Sequence, residues 1–454
     1  MKPSSVLIFL GVIAVAGTGF LVTQSFLISA AILGVGLAFV GLQRTSDWWR
    51  RAYIFTIFAT GAGASHIAGL VQIGSVTKLL ALGLLAIATF VDTRSANPVW
   101  AGKTHRTLIS TLWLTAGLAA ASIIWSESRS DTATQALAFI AFVYVLHRTS
   151  TTRWKDKAVL IGDVGSAYWA SFLLLLAGAG LAFVGFPGAV SDYSGRHLGI
   201  FNNPNLLGMI SALTFVLGIG WAIHKRTVAV VISLIVPLSQ VLLSESRTAI
   251  LAVVLVLLWT VVRARAKNFV VVAYITSIVA LVAMAVSWRP FEGYLDRFST
   301  MDGGDLLNTR TNAWNDAQRT IVEDPLGIGW AATPTVLEKW GNDGVASGLS
   351  SIHNSYLQLV FELGVAGVIP VLMIVILLTK VGMMRHHGLA IGFGAVALTG
   401  LIVQITESPI FGLGQPYPYL FWIAVVAGTV FSEKPDSEEE PVSLRTQTTP
   451  ALIH

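Results

Sequence analysis

Apolar runs recur along the whole of this chain. They lie at residues 4–22, 25–42, 52–72, 77–92, 108–125, 133–147, 166–186, 204–223, 227–243, 248–262, 268–287, 355–379, 388–406 and 419–432. A soluble domain of average make-up is about a quarter charged. Here 54% of 454 residues are hydrophobic, 12% are charged and the mean hydropathy is +0.72. That much apolar side chain must face lipid, where every backbone polar group has to pair within its own segment. Since a bilayer core takes roughly 20 apolar residues per helix, the runs predict an all-α polytopic membrane protein with about 12–14 transmembrane helices. The short runs at 77–92, 133–147 and 248–262 read as tilted or partly re-entrant. The first run follows Lys2 like a secretory signal, but no small-residue cleavage site follows it, so it reads as a retained span.

One large polar interruption stands out, from Trp288 to Ser355. A sizeable loop on one face of a membrane protein is where function concentrates. Most of the 29 Lys and Arg residues fall on one side of the expected spans. That asymmetry puts both termini in the cytoplasm of a multi-pass inner-membrane protein and the loop outside. The outer segments then hold Lys78, Arg129, Arg196 and Arg247, with Arg289, Arg297, Arg310, Arg319 and Lys339 in the loop. The chain divides into an N-terminal transmembrane bundle (1–186), transmembrane helices with the Arg196 and Arg247 segments (187–287), an extracytoplasmic loop, partly helical (288–355), C-terminal transmembrane helices (356–432) and a polar, acidic tail read as disordered (433–454). There is no cysteine, which excludes disulfides, thiolate metal sites and cysteine nucleophiles.

Four external features can carry chemistry. In Gly195-Arg196 running to Asn203-Pro204-Asn205, Asn-Pro is a helix-entry signal. Free N–H groups at such a helix start, beside Arg196, suit an anion; the bland alternative is a polar loop with an anchoring arginine. Ser244-Glu245-Ser246-Arg247-Thr248 is a very short connection between apolar runs. Arg247 must lie near headgroup level, where charges are paired or functional, unless it pairs with Glu245 to close a turn or snorkels. In the loop, Ala313, Trp314, Ala317, Ile321 and Val322 have helical, amphipathic spacing, and Glu323 to Trp330 breaks that helix with Pro and Gly. On this helix Arg319 reads as a solvated face residue. Finally, of nine histidines only His197 and His353 fall in outer polar segments. A lone histidine is more often structural, but His353 sits at the junction of loop and span beside Asn354 and Ser355, so it is the candidate catalytic residue. His66 reads as lying inside a span.

Arginine forks match phosphate oxygens and stay charged. Several of them at an outer membrane surface suit a lipid-linked phosphate or diphosphate. No paired-Asp motif of a metal-dependent glycosyltransferase is visible, so no metal or other cofactor is expected and arginine would stabilise the departing diphosphate.

Together these residues resemble the O-antigen ligase superfamily, which includes O-antigen and capsule polymerases. The matching pieces are Gly195-Arg196 to Pro204-Asn205, Ser246-Arg247-Thr248, Arg310 to Trp314, Asp324-Pro325-Leu326-Gly327-Ile328-Gly329, and His353-Asn354-Ser355-Tyr356-Leu357 to Leu363-Gly364. Two spacings resemble the ligases' motifs, Arg247 with Leu251 and His353 with Gly364. The likeness covers roughly residues 190–405.

The resemblance implies a metal-independent, inverting transferase at the outer face. Its donor would be a glycan on undecaprenyl diphosphate and its acceptor a glycan or glycolipid hydroxyl, with the lipid bilayer as surroundings and no nucleic acid. Carried over, Arg196 and Arg247 hold the diphosphate, His353 accepts a proton from or orients the acceptor hydroxyl, and Arg310 is a secondary contact. Asn205, Glu245 and Asn354 are substrate-binding candidates. Glu407 is a weak candidate without an assigned role. Two other classes stay open, a transporter or flippase of lipid-linked sugars and a sensor or scaffold. The absence of an internal repeat of broken helices speaks against the first.

Overall fold

The computed structural model describes residues 47–191, 195–225, 227–263, 308–342, 351–384 and 388–433. The spans expected at 4–22, 25–42 and 268–287, loop residues 288–307 and 343–350, and the tail beyond Glu433 lie outside the described residues. Among the described residues the structure is helical without β-strands. Its helices are α1 (Trp48–Gly63), α2 (Ala68–Thr93), α3 (Lys103–Ala121), α4 (Arg129–Thr152), α5 (Lys157–Phe183), α6 (Pro204–Lys225), α7 (Val228–Ser233), α8 (Ile235–Leu243) and α9 (Arg247–Arg263). After the break come α10 (Asn308–Glu323), α11 (Thr333–Asn342), α12 (Ser355–Leu363), α13 (Val368–Met383), α14 (Leu389–Val403) and α15 (Tyr417–Glu433). Five stretches are long and apolar enough to cross a membrane: Ala68–Thr93, Lys103–Ile124, Lys157–Phe183, Pro204–Lys225 and Ser355–Met383. This is an all-α polytopic membrane protein.

Several expected boundaries move, each for a tertiary reason. The first described hairpin turns at 64–67, not after residue 72. Residues 64–66 are drawn off the helix by backbone pairing elsewhere: His66 N donates to Ile200 O and Asn202 N to Ala64 O. His66 is therefore outside a span, with Nδ1 3.1 Å from Phe201 O. The same shift makes Lys78 the eleventh residue of α2 rather than part of a loop. The runs at 77–92 and 133–147 extend to helices of 26 and 24 residues, so they are not short. The run at 227–243 breaks between α7 and α8, three residues before Pro237, which has no N–H for the Ser233 carbonyl. The run at 355–379 is interrupted by a 3₁₀ turn at Gly364–Gly367.

Helix α6 is apolar on every side and almost wholly buried, as a helix at the middle of a bundle must be. It packs antiparallel to α14 with glycine against glycine; a Cβ on Gly220 would stand 2.5 Å from Gly392 Cα. That contact near one end brings Asn205, at the start of α6, level with Glu407, just past α14. The opposite end is closed by a buried ion-pair network. Asp163, at 0% exposure, accepts from Arg50 Nε at 2.7 Å, Arg153 Nε at 2.7 Å and Trp154 Nε1 at 3.0 Å. Arg153 also bonds Asp47 and Asp92 and lies over the Trp49 ring. Three helices and the α4–α5 turn meet there.

Candidate active site

The Asn205 end of the bundle is organised by Glu407. Its side chain is 5% exposed, and three donors converge on it. Asn205 Nδ2 and Arg310 Nη2 each lie 2.9 Å from Oε1, and His353 Nδ1 lies 3.0 Å from Oε2. The chain of contacts continues outward. Asn205 Oδ1 accepts from Arg196 Nη2 at 2.7 Å, and Arg196 Nε donates to Ser244 O at 2.8 Å. Arg310 Nη1 also donates to Thr406 O at 3.0 Å, beside the Thr248–Thr406 hydroxyl pair. Four of the sequence-predicted residues, Arg196, Asn205, Arg310 and His353, are thus joined through a fifth that the motifs did not single out.

The other predicted residues fall around this network. Arg247 opens α9 at the same end, one residue before the Thr248–Thr406 contact. Glu245 holds the left-handed position of the tight turn, with φ 50°. Asn354 is the N-cap of α12: its Oδ1 accepts from Leu357 N at 3.0 Å. This cap sets the direction of α12 immediately after His353. His353 is itself left-handed, with φ 53°, a conformation a non-glycine residue keeps only where its surroundings impose it. The restraint is visible on both sides. Trp314 Nε1 donates to Ile352 O at 2.8 Å, and Ser355 N donates to Gln404 O and Glu407 O. His197 makes no bond to Glu407 among the described contacts, and its backbone N–H donates to Leu243 O; burial pushes its imidazole below the usual histidine range.

The described residues of the polar loop share a small apolar cluster with α12. Ala317, Ile328, Ala332, Val336, Ile352 and Phe361 bury one another, with Trp314 and Ile321 against them. The amphipathic reading of α10 holds, except that Val322 is 80% exposed. Arg319 is solvated as expected. The segment after α10 is pinned to the end of α12: Ile328 N donates to Phe361 O, Gly329 N to Glu362 O and Val365 N to Pro325 O. Buried Glu362 accepts from Ala331 N, Thr333 Oγ1 and Gln358 Nε2. Trp330 stacks on Phe139 and packs against Phe411.

This docking explains the histidine-to-glycine spacing. Gly364 has φ 63° and ψ −155°, a region open essentially to glycine alone. A Cβ there would stand 2.0 Å from Pro325 O. His353 and Gly364 therefore bracket α12, one beside Glu407 at the cleft and the other where residues 325–329 dock. Gly364→Ala is expected to cost about 1–3 kcal/mol of stability and to expose the loop to protease. Unfolding and limited proteolysis measure both, and a variant as resistant as the wild type would remove this account.

His353 and Glu407 face a cleft of about 660 Å³, whose wall also carries Asn202, Gln358 and Glu362. Because a carboxylate oxygen accepts the Nδ1 hydrogen, Nε2 is left as the basic nitrogen of His353. A base oriented by a carboxylate beside a group of guanidinium ions can deprotonate a hydroxyl and hold an anion. Among the described residues no three His, Asp or Glu side chains gather as a metal site.

Residues 228–372 match the family model for O-antigen ligase. That match, over about a third of the chain, supports the O-antigen ligase superfamily. The matched segment contains Arg247, Arg310, His353 and the described loop residues 308–342. Arg196, Asn205 and Glu407 lie outside it and reach the site through α6 and α14. No curated protein matches the chain. The match supports a membrane glycosyltransferase of the ligase or polymerase type. Glu407 could have been sought as an ionisable residue at the end of an apolar run, but no local spacing marks it.

Proposed function

We propose that this protein moves a glycan from undecaprenyl diphosphate to a hydroxyl of a glycan or glycolipid acceptor, by a single inverting displacement without a metal. The observation that carries the reading is the His353–Glu407 pair with Arg310 and the Asn205–Arg196 chain on the same carboxylate. The acceptor O–H gives its proton to His353 Nε2. Its oxygen attacks the anomeric carbon from the face opposite the diphosphate. The anomeric C–O bond breaks, and its electron pair leaves with undecaprenyl diphosphate. Arg196 and Arg247 hold the departing diphosphate, and Arg310, which uses two of its five N–H groups in the bonds above, assists. Glu407 keeps the imidazole in the productive tautomer.

An outward orientation of the His353 end is supported by the opposite end, where Arg148, Arg153 and Lys155 gather, in keeping with the positive-inside rule.

The test is the purified full chain in bilayer discs, given a lipid-diphosphate glycan and a glycan acceptor. The expected result is a new glycosidic bond of inverted configuration and release of the lipid diphosphate, unchanged by chelator. Arg196→Ala is expected to raise the KM for donor by about tenfold or more, the loss of one charge-assisted contact. A single block on a new carrier identifies a ligase, and a lengthened lipid-linked chain a polymerase. Movement of the donor across the bilayer with no covalent product would overturn the transferase reading, and loss of activity with chelator the metal-free one.

A further inference from the structure

Lys78 is a cation that the proposed chemistry does not use. It lies well inside α2, a helix long and apolar enough to cross a membrane, and its side chain is half-buried. One turn earlier, Gly74 crosses α1 so closely that a Cβ on it would stand 2.0 Å from Gly63 N. The crossing carries Lys78 past the end of α1. Its Cδ lies 3.5 Å from where a Cβ on Gly63 would be, and its Nζ 3.6 Å from where one on Gly414 would be. Gly63 and Gly414 both line the cleft that holds His353 and Glu407. A side chain at either glycine would touch the lysine.

Among the described residues nothing pairs with the Lys78 ammonium. Arg50, Arg153 and Arg310 each have a carboxylate. The described lining of the cleft includes Asp131, Glu362 and Glu407 but no Lys or Arg; of the cations beside it, Arg310 is paired with Glu407, whereas Lys78 has no carboxylate partner among the described residues. An ammonium inside a span is costly to keep without an anion or water, and such residues mark substrate or ion paths. A compact ammonium on a flexible stem suits a phosphate oxygen.

We infer that Lys78 holds the phosphate of a lipid that enters the cleft between α2 and residues 412–415. The phosphate belongs either to a bilayer lipid headgroup or to a lipid-linked glycan. In the second case a glycan anchored at Lys78 extends along the cleft toward His353, and the acceptor is itself lipid-linked. That consequence rests on the proposed transfer reaction, whereas phosphate binding does not.

The experiment measures lipid retention without turnover. Full-length wild type, Lys78→Met and Lys78→Arg are purified in detergent and exposed separately to phosphatidylglycerol, undecaprenyl phosphate and neutral diacylglycerol, and bound lipid is counted by native mass spectrometry. Methionine keeps the length of the side chain and is at home in a span. The expected result is that wild type and Lys78→Arg retain a phosphate-bearing lipid at least about tenfold more tightly than Lys78→Met, the scale of one charge-assisted contact, with diacylglycerol unchanged. Loss confined to undecaprenyl phosphate assigns a substrate phosphate, and loss confined to phosphatidylglycerol a headgroup; loss in both assigns a site open to either. Equal retention by wild type and Lys78→Met in both phosphate arms overturns the inference and leaves a snorkelling lysine. Because no product is formed, failure of the transfer assay would not decide this result.

Discussion

Glu407→Ala and His353→Ala are each expected to lower kcat by about 10²–10⁴-fold, the usual contribution of general acid–base catalysis. The double variant is expected to be little worse than the weaker single one. Glu407 touches His353, Arg310 and Asn205 at 2.9–3.0 Å. Its removal therefore frees the imidazole to turn and leaves two part-buried donors without this acceptor. Groups that act as one unit are strongly non-additive, whereas independent contributions multiply. Kinetics on the four proteins of the cycle separate the two cases. Glu407→Gln sharpens the test: it keeps the shape, but its amide can offer N–H where the carboxylate accepted, so it favours the wrong tautomer of His353. A kcat loss with an altered pH profile and a nearly constant acceptor KM is expected. Multiplicative losses, or a Glu407→Gln variant with wild-type kcat, would mean that Glu407 only props the fold.

The second large effect is on stability and lies at the other end of the bundle. Asp163→Ala is expected to destabilise the protein by about 3–5 kcal/mol, because it leaves Arg50 and Arg153 without their shared buried carboxylate. Asp163 is wholly buried and receives both guanidinium groups and the Trp154 indole. Asp92→Ala is the control. The Asp92 side chain is 42% exposed and among the described residues pairs with Arg153 alone, so a loss of no more than about 1 kcal/mol is expected. Chemical unfolding in detergent compares the two. The folded fraction of Asp163→Ala is expected to retain its kcat, since Glu407 and His353 lie at the opposite end. Equal stability of the two variants would mean that the network is not the staple its geometry suggests.

Much of this was legible in the chain. Apolar runs give helices because lipid leaves the backbone no other partner, and α10 was readable from Ala313, Trp314, Ala317 and Ile321. The loop's position between Arg247 and His353 followed from the motif order. The hairpin at 64–67 was not readable, since it depends on backbone pairing with residues 200–202, more than a hundred positions away. Nor was the depth of Lys78, which follows from that turn. Asn354 looked like a ligand contact and is a helix cap.

The sequence by itself determined the class of the protein and the apolar runs that become its helices, because these follow from local hydrophobicity, and it offered candidates from which side chains can bind phosphate or move a proton. Only the tertiary structure decided that Glu407 is the centre of the candidate site. Its partners come from residues 205, 310 and 353, and what unites them is the antiparallel packing of α6 on α14 with the loop docked at Gly364. A carboxylate becomes a hub through the donors that surround it, and no spacing along the chain records who those donors are.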